Sequence, residues 1–187
     1  MLENFEKTED ALFSFFKAPV TNKYPSLVMT LKDVFCYITG MDAREQTLAL
    51  RKIQDKKKAR DFKARNFGYA TFAGVFSYDS DDRLVKPSGL MCLDFDHIDV
   101  SRVKQILLND PSIDVQLLFT SPSGDGVKAV VSIDLKKCDY RTWFRGIRNY
   151  LLVRYHLEAD PSGINVSRAC FLPHDMKVYV NPDICPF

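Results

Sequence analysis

The apolar positions change period along the chain. Residues 12–16 form a short apolar run suited to a strand. Thr30, with Asp33 three residues on and Val34, Phe35 and Ile38 behind it, predicts a capped short helix that Gly40 ends. Residues 43–65 set Leu48, Leu50 and Ile53 among many charges with no Pro or Gly between them, which predicts one long exposed helix. From residue 72 the period becomes that of strands. Residues 72–78, 90–95, 115–120 and 127–133 are β-rich, and the turn-forming stretch SPSGDG joins the last two. Residues 100–108 read as a helix that Pro111 closes. Residues 140–156 carry Trp143, Phe144, Ile147, Leu151 and Leu152 near helical spacing, with Arg141, Arg145 and Arg148 on another face. Short strands near 166–172 and 178–180 complete the chain. Helices mixed with antiparallel hairpins predict an α+β fold in which helices cover a sheet.

No linker, repeat or low-complexity tract interrupts this order, so the 187 residues read as a single domain, 1–187. With 46% apolar and 27% charged residues, the composition excludes a disordered chain, a collagen-like repeat and a disulfide miniprotein. The formal charge, 26 minus 24 or +2, conceals an uneven distribution. Residues 51–65 hold eight Lys or Arg against two Asp, a local +6, so the remainder sums to −4. Such a patch suits a polyanion. Five cysteines, Cys36, Cys92, Cys138, Cys170 and Cys185, are dispersed and form neither a CxxC pair nor a Cys/His cluster. That argues against a disulfide and structural zinc and for a reducing compartment. The opening MLENFEKTED lacks the basic and apolar regions of a leader, and no apolar run approaches ~20 residues. The expectation is a cytoplasmic protein without a membrane partner.

Three segments carry candidate chemistry. In GLMCLDFDHID, residues 89–99, strand alternation puts Asp94 and Asp96 side by side while Leu93 and Phe95 face a core. Adjacent carboxylates repel unless a cation lies between them, and Mg²⁺ or Mn²⁺ suits such oxygen ligands. The same pair also suits the start of the turn into the next helix. In LLFTSPSGDGVKAVV, residues 117–131, the glycines of a hairpin can aim backbone N–H groups at an anion, and Lys128 follows as a point charge for phosphate. Taken alone, the segment is better accounted for by a solvated hairpin with a surface lysine, because Gly-rich turns are common and this is not a Walker A loop. In EADPSGINVSRACFLPHD, residues 158–175, Asp160 offers a third carboxylate and Arg168 a phosphate partner, unless Asp160 merely caps the Pro161–Gly163 turn. The basic run suits a nucleic-acid backbone as well as a solvated helix face, and Lys63 and Arg65 lie nearest the strand that follows. His97 is placed to support a metal at the DxD or to bond within its turn. The histidines stand at 97, 156 and 174, so the paired-His motif of a nicking endonuclease is missing.

In order and spacing these segments resemble the archaeo-eukaryotic primase, or prim-pol, superfamily. Asp94 and Asp96 fall on its DxD strand, residues 121–128 on its S-x-H turn and Asp160 on its h-D. Arg168, Phe171 and Pro173 fall on the closing basic-aromatic strand. The run from TFAGVFS through LDFDHID and FTSPSGDGVKAVV to SRACFLPHD is also similar to the VirE N-terminal domain family of replication proteins from bacterial mobile elements and phages. The resemblance implies an RRM-like antiparallel sheet core of the primase-polymerase type over residues 67–187, covered by helices, beside a mainly helical N-terminal unit over 1–66. It implies a DNA-replication nucleotidyltransferase using Mg²⁺ or Mn²⁺ held by Asp94, Asp96 and Asp160, with Lys128 standing where the superfamily has histidine. Ser121, Ser123, Gly124, Gly126, Lys128 and Arg168 would bind nucleoside triphosphate, Lys63 and Arg65 a DNA template, and a helicase-like module would be the partner in cis or trans. The missing histidine, Ala159 before the third Asp and the lack of a zinc cluster leave open a degenerate domain that binds nucleic acid or nucleotide and recruits that module.

Overall fold

The structure is a computed structural model that describes residues 11–185; MLENFEKTED, on which the reading of the N-terminus rests, lies outside the described residues. Among these the chain forms β1 (Phe13–Phe16), β2 (Leu27–Met29), α1 (Leu31–Thr39), α2 (Arg44–Leu50), α3 (Lys56–Asn66), β3 (Tyr69–Thr71), β4 (Gly74–Phe76), β5 (Leu84–Pro87), β6 (Leu90–Phe95), α4 (Val100–Asn109), β7 (Val115–Thr120), β8 (Val127–Ser132), α5 (Tyr140–Tyr155), β9 (Cys170–Phe171) and β10 (Tyr179–Val180). It is an α+β fold with antiparallel sheets. One sheet has the order β2-β1-β3-β9, a second the order β10-β7-β8-β6, and β4 pairs with β5. Strands from both sides of residue 66 thus share the first sheet.

Alternation along β6 sets the layers. Leu90 belongs to a core shared with Phe13, Phe15 and Ala70 of the first sheet, and Cys92 packs against that core. Met91, Leu93 and Phe95 point the other way, onto Val103 and Leu107 of α4 and Phe144, Ile147 and Leu151 of α5. In β8, Val130 faces the first sheet while Val127, Ala129 and Val131 face the helices. The second sheet is therefore buried on both faces, with each fully enclosed Phe or Leu contributing roughly 1.5 to 3 kcal/mol. Every even position of β6 and β8 is committed to the inter-sheet layer, and that carries Asp94 and Lys128 to its rim.

Several elements follow the pattern of the sequence. Thr30 caps α1 by accepting from Asp33 N–H, Asp33 returns the bond to Thr30 N–H, and Gly40 ends the helix. The long helix expected over 43–65 is instead two helices. Its apolar signal stops at the buried Leu50, and Asp55 accepts from Lys58 N–H at 2.7 Å to start a new helix, α3, which buries none of its residues. The strand expected over 72–78 is broken by a turn at Phe72 and Ala73, so β3 and β4 enter different sheets. A Cβ on Gly74 would lie 2.2 Å from Lys86 O, so only glycine permits this approach. The expected strand over 166–172 shrinks to β9, because Ser167 is drawn aside by N–H and hydroxyl bonds to Asp81 of 3.0 and 2.6 Å. β2 and β5 carry no alternation long enough to predict. No helix among the described residues is long and apolar enough to cross a membrane.

Candidate functional site

Asp94 is the penultimate residue of β6, Asp96 follows it by two residues, and Asp160 arrives from the loop after α5. One oxygen of each lies within 4.8 Å of the others. The backbone brings Asp160 in, since its N–H donates to Asp94 O at 2.8 Å. Its carboxyl is fixed from two sides. Oδ1 accepts from Ser162 N–H at 2.9 Å and Oδ2 from the Arg168 guanidinium at 2.8 Å. Asp160 therefore both caps the turn at Pro161–Ile164 and joins the carboxylate cluster. Burial raises its pKa, but the Ser162 bonds and the charges of Arg168 and Lys128 outweigh this and leave it lowered.

Lys128 pairs with Asp94 across the β6–β8 ladder, and its ammonium bonds Asp94 Oδ2. Burial by itself would lower this lysine's pKa. The coulombic pull of Cys170 and of Asp94 reverses the effect, so it is raised and the ammonium persists. The surface lysine admitted by the sequence is thus a buried member of the site. Asp96, at the open end, is pushed up by partial desolvation first and by Asp94 second, with Lys128 and Lys63 acting against both.

Lys63 is the addition that the sequence placed only loosely. It projects from α3 over the Phe171 ring at 5.6 Å. Burial and then Lys128 lower its pKa, while Asp96 and Asp94 act to raise it. Lys63, Lys128 and Arg168 thus surround the three carboxylates. Arg65 is exposed on the last turn of the same helix. The signal that separates the two is the helical spacing of Ala59, Phe62 and Lys63, which share one partly buried face, whereas Arg65 lies off it.

The SPSGDG turn closes against this cluster. Ser121 N–H donates to Gly126 O at 2.8 Å and Gly124 N–H to Ser121 O at 2.9 Å. Those two N–H groups bond inside the turn, so neither is free to meet an anion, while the Ser121 hydroxyl is not used in this way. Arg51 grips the turn from outside through the carbonyls of Pro122 and Ser121 at 3.3 and 3.4 Å. Ser123 is exposed. A Cβ on Gly126 would sit 2.5 Å from Phe95 O and 3.2 Å from Asp96 Oδ1, so glycine is required for the turn to approach the carboxylates. His97 reaches Asp125 of the turn, Nδ1 to Oδ2 at 2.7 Å. Among the described residues, three buried polar atoms have no hydrogen-bond partner, and all belong to this site: Asp94 Oδ1, Ser121 Oγ and Ser162 Oγ.

The family model for the BT4734-like, N-terminal domain matches residues 62–180. The chain belongs to the BT4734-like N-terminal domain family. The match takes in all three carboxylates and all three surrounding cations, and it begins one residue before Lys63. The part of the chain before α3, including Arg51, β1 and β2, lies outside the family match. No curated protein and no solved structure matches this member of the family.

Proposed function

We propose that this chain is a divalent-metal-dependent nucleotidyltransferase domain of the primase/polymerase type, acting in DNA replication on a nucleic-acid template with nucleoside triphosphates. The observation that carries the reading is the convergence of Asp94, Asp96 and Asp160 to within 4.8 Å inside a ring of cations. The residues fit Mg²⁺ or Mn²⁺. Three hard oxygen ligands meet at the rim of a buried layer, and Asp94 Oδ1 is a buried acceptor without a hydrogen-bond partner. When bound, such ions neutralise phosphate charge and lower the pKa of an attacking 3′-hydroxyl. The chain's own residues do the rest. Arg168 and Lys63 hold phosphate oxygens, and Lys128 fixes Asp94 and supplies the charge that histidine supplies in prim-pol enzymes. Three cations balance three carboxylates, so an added divalent ion makes the site net positive and favours a polyphosphate. The succession β6-α4-β7-β8-α5 supports an RRM-like core, with Asp160 bonded beside β6 and β10 on the far edge of β7.

One observation favours the degenerate, module-recruiting alternative. The Lys128 ammonium already occupies Asp94 Oδ2, so an entering metal must share that carboxylate with a fixed cation. The deciding experiment is extension of a primed template by labelled nucleotides with Mn²⁺ or Mg²⁺. Extension that vanishes in Asp94→Ala supports the enzyme, whereas no extension by the parent chain, with nucleotide binding intact, supports the alternative.

A further inference from the structure

The five cysteines are scattered in sequence, but two of them meet. Cys92, two residues before Asp94 on β6, and Cys170, two residues after Arg168 on β9, bring their sulfur atoms to 3.5 Å across 78 residues of chain. β6 and β9 belong to different sheets. Cys170 is buried and Cys92 partly so, whereas Cys36 is exposed. The pair lies beneath Lys128, whose ammonium feels both sulfurs.

We propose that Cys92 and Cys170 are an oxidation site, at which hydroperoxides convert the two thiols to a reversible disulfide that staples the two sheets under the Lys128–Asp94 pair. The geometry requires little movement, since sulfurs in contact need only close to the roughly 2.05 Å of a disulfide. Cys170 is the acceptor of the hydrogen bond from the Cys92 S–H. Burial opposes ionisation of the Cys170 thiol, while the bond it accepts from Cys92 and the Lys128 charge favour it, and in the proposed sequence its sulfur reacts first. Its sulfur attacks the peroxide O–O bond and becomes a sulfenic acid, and the departing hydroxide takes a proton to leave as water. The Cys92 sulfur then attacks the sulfenic sulfur, its proton leaves with the displaced hydroxyl as a second water, and the disulfide remains. Two thiols are oxidised and one peroxide is reduced. Burial admits a small hydroperoxide and slows a bulky disulfide oxidant. The proposal stands independently of the metal and nucleotide reading, because it concerns only the thiols.

The test exposes the folded chain to hydrogen peroxide, alkylates the remaining thiols after unfolding and maps peptides without reductant. The expected product is one linked pair carrying Cys92 and Cys170, lost on dithiothreitol and absent in Cys170→Ser, with Cys36, Cys138 and Cys185 still alkylated or oxidised singly. The same pair is expected when Cys36→Ser, Cys138→Ser and Cys185→Ser are combined, and mapping of the parent chain decides the matter should that variant not fold. Overoxidation of Cys170 without a link, or full alkylation of both cysteines, overturns the site. A urea midpoint that does not rise on oxidation and fall back with dithiothreitol overturns the staple, since a link spanning 78 residues restricts the unfolded chain.

Discussion

Lys128 and Asp94 form an ion pair with side chains only 7% and 14% exposed, so the pair behaves as a buried rather than a surface one. Removing one partner strands the other, and Asp94 already carries one orphaned oxygen. Lys128→Ala is therefore expected to lower stability by about 3 to 5 kcal/mol in urea denaturation. Adding Asp94→Asn should return a large part of that loss. With Mn²⁺ present, any folded Lys128→Ala protein should also bind nucleotide roughly tenfold to a hundredfold more weakly, the loss of one charge-assisted phosphate contact. Unchanged stability and unchanged affinity would together show that Lys128 carries neither the stability of the buried pair nor a phosphate contact. At this scale Asp94 and Asp96 were legible because strand alternation decides which side chains share a face; Asp94 faces Lys128 across the ladder, and Asp96 follows one residue past the end of β6. Lys63 was named only together with Arg65, and what divides them is the weak apolar face of Ala59 and Phe62, which Lys63 shares and Arg65 does not. The meeting of Cys92 with Cys170 was hidden for a different reason. It depends on two sheets packing, and no local pattern encodes that.

The elements with one strong period were legible to within a residue or two. β6, α4, β7, β8 and α5 each bury one clear face against the second sheet's core. Where a polar interaction outcompetes the period, the sequence misled. Asp55 starts a helix inside an expected helix, and Asp81 bends an expected strand out of its sheet. Asp175 is a third such fastening and allows a measurement. Its Oδ2 accepts from Thr120 N–H at 2.8 Å and from Lys104 Nζ at 3.3 Å, and its Oδ1 accepts from Lys177 N–H at 2.9 Å. The segment after β9 is thereby tied to the end of β7 and to α4. Burial raises this carboxyl, yet the backbone bonds and Lys104 leave its pKa lowered in the folded state. A depressed folded pKa means that the stabilisation is complete above the unfolded value, near about 3.9, and is lost as pH falls through the folded one. Asp175→Asn should thus cost about 1.5 to 3 kcal/mol at neutral pH, since an amide opposes at least one of these donors. Its urea midpoint should fall less steeply than the parent's below about pH 4. Parallel pH profiles for the two proteins would show that Asp175 does not carry the tie.

At the scale of the whole molecule, the chain matched by the family and the unit that folds differ in extent. The match starts at residue 62, inside α3, and so contains the whole carboxylate cluster but neither β1 nor β2. β1 lies between β2 and β3 in its sheet, and with it gone β3 keeps only the two-residue β9 as a neighbour. Phe13 and Phe15 fill the core shared by both sheets, while Phe16 stacks on Tyr69 with ring centroids 4.7 Å apart. Removing three enclosed phenylalanines forfeits burial of roughly 1.5 to 3 kcal/mol each, comparable with the 5 to 15 kcal/mol of a whole domain's stability. It also bares the faces of Ala70, Phe72, Leu117 and Phe119 that they cover. The loss falls on the site as well. Cys170 and Phe171 of β9 hang on β3, and Phe171 is the ring under Lys63. A fragment of residues 62–185 is therefore expected to lack a cooperative thermal transition and to be digested rapidly by protease, while a fragment of residues 11–185 unfolds in one step. Cooperative melting of the shorter fragment, followed by circular dichroism, would mean that the second sheet with α4 and α5 is a self-sufficient core and that the first sheet is an attachment to it.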